Sequence, residues 1–245
     1  MVLHRRLLRS ASAARLSVRW YTVVLGVVPL TSLSIAYAMA GLPMSITASG
    51  LGEAYLLGLV LQAVGHLVTN NLWEEVAWTG FVQGRLQARH SPLTAAALTA
   101  PLFALQHLAL VVGGSLVGTV TVLLVLVVLA LPYRAVMGWL YNRTHSLLLV
   151  GAAHAAGDAV ATGTVLGEGF LPRLYGQNLG PLHLFAFAAI GLVVVLATRR
   201  RLGEPAAPEP NDQGRDPDSE APRRPPFVTT TRTDPSGTST GKDRP

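Results

Sequence analysis

Residues 54–87 read AYLLGLVLQAVGHLVTNNLWEEVAWTGFVQGRLQ, and the only formally charged residues before Arg85 are Glu74 and Glu75. An apolar run of about twenty residues suffices to cross a bilayer, so this stretch reads as a membrane helix. Within it Gln62, His66, Asn70 and Glu74 recur every fourth residue, which predicts a polar stripe along one slowly turning face. The other positions are mainly Leu, Val, Ala, Trp and Phe. A carboxylate at mid-span costs about 2.5–3.5 kcal/mol even on a lenient insertion scale. Two adjacent carboxylates are harder to place, because like charges oppose each other's ionisation. Trp73, Val76, Trp78 and Phe81 surround the pair, so it marks a site inside the apolar layer.

The rest of the chain fits the same reading. Half of its residues are hydrophobic and 13% are charged, against about a quarter charged in soluble domains. From Met1 to Arg201 the acids are Glu53, Glu74, Glu75, Asp158 and Glu168 alone. Apolar segments predict six spans, at about 20–40, 54–82, 93–112, 116–141, 146–162 and 181–198. The fold expected is all-α, a polytopic transmembrane helix bundle at 20–201. A basic cytoplasmic segment, 1–19, precedes it, and a disordered tail, 202–245, follows. That tail is rich in Pro, Asp, Arg, Ser and Thr and cannot bury enough apolar surface to fold.

Charge placement orients the bundle. With the N-terminus in the cytoplasm, one side receives residues 1–19, Arg85, Arg89, Arg134, Arg143 and Arg199-Arg200-Arg201. Loops 41–53, 113–115 and 163–180 on the other side hold only Arg173. This asymmetry is what the positive-inside rule expects, with both termini cytoplasmic. The net charge of +6 therefore serves orientation and anionic lipid rather than nucleic acid, for which no basic face with interleaved aromatics is visible. Cysteine is absent, which excludes disulfides and thiolate chemistry. A single lysine, Lys242, among many arginines suggests a GC-rich coding sequence and a bacterial cytoplasmic membrane.

Three predicted helices carry ionisable groups. Beside Glu74-Glu75, the third has Gln106-His107 in an apolar setting, so the histidine's partner is expected on another helix. The fifth places His154 and Asp158 four apart on one face, among Gly151, Ala152, Ala153, Ala155, Ala156 and Gly157. Small residues of this kind let a neighbouring helix approach closely. The set is Glu, His and Asp without a buried Arg or Lys, types that activate water or bind a divalent metal. It has neither an HExxH motif nor a nucleophile-elbow serine.

Three blocks in order, Glu74-Glu75-Val-Ala-Trp78-Thr79-Gly80-Phe81, Phe103-x-x-x-His107 and His154-x-x-x-Asp158, resemble the CAAX-protease and bacteriocin-processing family of intramembrane endopeptidases. Thr79 stands where many members have arginine, and Asp158 where asparagine is commoner. The resemblance implies hydrolysis of a peptide bond in a membrane-associated peptide or protein. It makes Glu74 and Glu75 catalytic, with Glu74 as general base and His107 holding the water. His154 and Asp158 would stabilise the oxyanion. It leaves a divalent metal open. The alternative is a non-catalytic membrane interaction protein, such as a bacteriocin-immunity or scaffold protein.

Overall fold

A computed structural model describes residues 18–43, 47–112, 114–176 and 179–203. The basic segment before Val18 and the tail from Glu204 lie outside the described residues, and so do the readings made for them. The chain is helical: α1 (Val18–Ala40), α2 (Ala48–Gln87), α3 (Pro92–Leu105), α4 (Leu108–Val111), α5 (Leu116–Thr144), α6 (Leu147–Ala161), α7 (Phe170–Tyr175) and α8 (Leu182–Ala197). An isolated bridge between Thr164 and Gly167 is the only extended pairing among the described residues.

Hydroxyl caps start several of these helices. Thr47, Ser91, Ser115 and Ser146 each accept a backbone N–H from the first turn of α2, α3, α5 and α6. All six expected apolar segments are helical. By length and composition α1, α2 and α5, of 23, 40 and 29 residues, are long enough to cross a membrane, whereas α3, α6 and α8 are shorter apolar helices. Their outer faces carry exposed Leu and Val. Along α5, for example, Leu116, Val117, Leu124 and Val128 are each more than 60% exposed, a surface suited to lipid.

Helix α6 occupies the centre and packs against α1, α2, α5, α7 and α8. Its glycines and alanines make that possible. A Cβ added at Gly151 would lie 3.1 Å from the Leu72 Cα atom of α2, and one at Gly157 would strike the Phe187 ring of α8. Side chains that α6 carries inward are therefore surrounded on every side. His154 is among its buried residues.

Three departures from the predicted layout bear on the site. Helix α2 contains π-helical stretches at Ala54–Val60, Leu67–Asn71 and Val76–Gln83. Their i→i+5 bonding lengthens the turn and rotates the register. The buried polar face consequently runs through Gln62, Asn71, Glu75, Thr79 and Gln83, not along the expected 62-66-70-74 stripe. Secondly, the span expected at 93–112 breaks at Gln106-His107, between α3 and α4. Thirdly, Arg134 lies within α5 and is completely buried, so it is not an orienting charge at the membrane surface.

Candidate active site

A cavity of about 620 Å³ opens among α2, α3, α4, α5, α6 and α8. Its walls include Asn70 and Glu74 from α2, Phe103, Gln106 and His107 at the α3–α4 break, and Tyr133 from α5. His154 and Asp158 from α6 and His183 and Phe187 from α8 complete the polar and aromatic lining. Residues separated by more than a hundred positions thus share one chamber, of a size usual for ligand sites.

Glu74 faces this chamber with neutral partners. Its Oε1 accepts from Asn70 Nδ2 at 2.6 Å and its Oε2 from Gln106 Nε2 at 3.1 Å. Glu75, one residue on, points about a quarter-turn away and is fully buried behind the cavity wall. Arg134 Nη1 donates to both of its oxygens at 3.1 Å, Tyr133 Oη donates to Oε1 at 3.1 Å, and Thr79 Oγ1 donates to Oε2. Arg134 also donates to Thr79 and to Gln83 Oε1. The absence of a buried cation expected from sequence is thereby corrected. Arg134 reaches across from α5 to the hydroxyl of Thr79 on α2.

The fully bonded Glu75 also borders His154. Nδ1 of the imidazole lies 3.0 Å from Glu75 Oε1, a close electrostatic contact that is not aligned as a hydrogen bond. On the other edge Nε2 lies 3.8 Å from Asp158 Oδ2. The same Asp158 oxygen accepts Asn71 Nδ2 at 2.8 Å, so α2 and α6 are tied at the site as well as packed there. His107 corrects another expectation. Its nearest polar partner is on its own helix, with Nδ1 3.1 Å from the Phe103 carbonyl. A carbonyl can only accept, so Nδ1 carries the proton of that bond, and in the neutral ring Nε2 is then the acceptor nitrogen.

Aromatic contacts hold these groups in place. Phe103 stacks on Tyr133 at 5.2 Å between centroids and meets Trp78 and His107 edge-on, while Tyr133 meets His154 and Phe187 edge-on. The Arg134 guanidinium lies 5.3 Å from the Phe103 ring centroid. The phenylalanine of the Phe-x-x-x-His block is therefore the hub around which both histidines and the buried cation pack.

Residues 56–160 match the family described as type II CAAX prenyl endopeptidase Rce1-like. The helical core from α2 to α6 is similar to that family. Neither a curated protein nor a solved structure matches the chain. The matched segment runs from α2 into the last turn of α6 and contains every site residue inferred from sequence.

Two ionisable cavity residues were not singled out in the sequence. Tyr133 precedes the buried arginine, and His183 lies just beyond the matched segment, at the start of α8. A polar or ionisable residue inside the apolar runs LVVLALPYRAVMG and PLHLFAFAAIG was the available signal. His183 Nδ1 lies 2.6 Å from the Gly180 carbonyl, which fixes its tautomer in the same way as that of His107. Among the described residues no three His, Asp or Glu side chains converge as a metal-holding set. Asp158 Oδ2 is already bonded to Asn71, and His154 is set between two carboxylates rather than beside the other imidazoles.

Proposed function

We propose that the chain is an intramembrane endopeptidase that hydrolyses a peptide bond of a membrane-associated peptide or protein, using Glu74 as its general base. The observation that carries this reading is the division of labour between adjacent carboxylates. Glu75 is saturated by Arg134, Tyr133 and Thr79, whereas Glu74 lines the cavity with only amide donors on it.

In this mechanism a water in the cavity gives a proton to Glu74 as its oxygen attacks the scissile carbonyl carbon. His107, with an acceptor Nε2, holds the same water. His154 donates from Nε2, the edge it shares with Asp158, to the oxyanion that forms, while Glu75 lies beside Nδ1 on the other edge. As the carbon–nitrogen bond breaks, Glu74 returns the proton to the leaving amine, so the base is regenerated without a covalent intermediate. The membrane setting, with a bacterial inner membrane and both termini cytoplasmic, supplies a substrate held in or against the bilayer.

The test is a comparison of peptides released from membranes containing wild-type protein or Glu74→Gln. Cleavage products present with wild type and absent with the variant are expected, with kcat lower by about 10²–10⁴-fold on an isolated substrate. Equal products from both, at equal protein levels in the membrane, would remove Glu74 as the base.

A further inference from the structure

We propose that Trp78 and Gln106 are positioning residues for the reaction: the indole N–H of Trp78 fixes which end of the Gln106 amide faces Glu74. The proposal rests on the reading of Glu74 as general base and concerns what holds that carboxylate ready.

A glutamine side chain has two chemically opposite ends of nearly equal size, so its orientation is decided by its partners. Here one partner is unambiguous. Trp78 Nε1 carries a hydrogen and can only donate, and it lies 2.7 Å from Gln106 Oε1. The amide carbonyl is therefore committed to the indole, and the NH₂ group is turned to Glu74 Oε2 at 3.1 Å. Reversing the amide would set N–H against N–H at one end and two oxygen acceptors against each other at the other. The indole is itself held, since Trp78 packs edge-on against Phe103 at 5.8 Å.

The arrangement depends on two irregularities of the fold. Gln106 lies in the α3–α4 break, and Trp78 lies in the Val76–Gln83 π stretch one turn beyond Glu74. On the other carboxylate oxygen, Asn70 Nδ2 donates at 2.6 Å. Glu74 is thus held at each oxygen by a neutral donor, which orients it without an ion pair that would compete with its role as a base. The ionisable groups sharing its chamber are His107 at the α3–α4 break, Tyr133 on α5, His154 and Asp158 on α6, and His183 on α8. Glu75 and Arg134 lie behind the wall.

The experiment is a double-mutant cycle in the full-length protein with Trp78→Phe, Gln106→Leu and the pair together. It is read by kinetics on a peptide found in the membrane comparison above and by infrared difference spectroscopy. The wild type minus Glu74→Gln spectrum isolates the Glu74 carboxylate stretch, which needs no substrate. Gln106→Leu is expected to lower kcat about ten- to hundredfold with KM unchanged, through loss of a charged hydrogen bond. Trp78→Phe, which keeps an aromatic ring, should lower it about three- to tenfold. The double variant should match Gln106→Leu alone, because the indole acts only through the amide. The carboxylate band should move in the same order. If Gln106→Leu fails to insert, Gln106→Met preserves length and replaces it. Independent, multiplying losses, a KM effect alone, or a carboxylate band indifferent to Gln106 would overturn the proposal. An active Glu74→Gln would instead defeat the general-base reading itself, so the two failures are distinguishable.

Discussion

Glu74 and Glu75 are neighbours in the chain and opposites in environment. Glu75 makes a buried ion pair with Arg134, with both side chains fully inaccessible. Removing one partner of such a pair leaves an uncompensated charge, at a cost of about 3–5 kcal/mol. Glu75→Gln should therefore lose both stability and activity, whereas Glu74→Gln should lose activity alone; thermal unfolding in detergent separates the two. Equal melting temperatures for the two variants would contradict the assignment. At Asp158 a single oxygen, Oδ2, accepts Asn71 and is the atom nearest His154 Nε2. An asparagine can place its carbonyl oxygen there and keep both contacts. Asp158→Asn is expected to retain activity within about threefold, while Asp158→Ala should fall by more than tenfold through loss of orientation. If both variants fell equally, the negative charge itself would be required.

At the scale of elements, the site depends on how closely α2 and α6 approach. Gly151 meets the α2 backbone at Leu72, one residue from the Asn71 that binds Asp158. A branched side chain there must push the helices apart, and overpacking of this kind costs about 1–3 kcal/mol. Gly151→Val should lower stability by that amount and activity by more, because the Asn71–Asp158 bond stretches first. Spectra and kinetics on purified protein would show whether activity falls further than the unfolded fraction accounts for. The four-residue spacing of Gln62, His66, Asn70 and Glu74 was legible, but the sequence does not announce a π turn, and the buried face follows another register. A one-residue change of register decided which of two adjacent carboxylates faced the cavity and which faced Arg134.

For the whole molecule, burial of Arg134 removes one charge from the side expected to face the cytoplasm. The asymmetry survives, since Arg85, Arg89, Arg143 and Arg199-Arg200-Arg201 remain there. Opposite them, Arg173 donates to Glu53 at 3.1 Å, so the one basic residue of that side is paired. Reporter fusions at Gly50 and Gly169 should accordingly report outside the cytoplasm, and fusions at Ala88 and Gly203 inside. An external Ala88 would overturn this orientation.

The sequence by itself determined the class of the protein and the candidate chemistry. Apolar runs without charge have one stable environment, and a carboxylate or imidazole within them is too costly to be incidental. Glu74, His107, His154 and Asp158 stood out as candidates for that reason. Only the tertiary structure decided which side chains line the cavity and which lie behind its wall. The sequence reading assigned Arg134 to the surface because arginines at span ends usually orient a membrane protein. Its partners Glu75 and Thr79 are more than fifty residues away, and only the packing of α5 against α2 brings them together. Likewise the proton positions on His107 and His183 depend on backbone carbonyls, whose directions no side-chain pattern records.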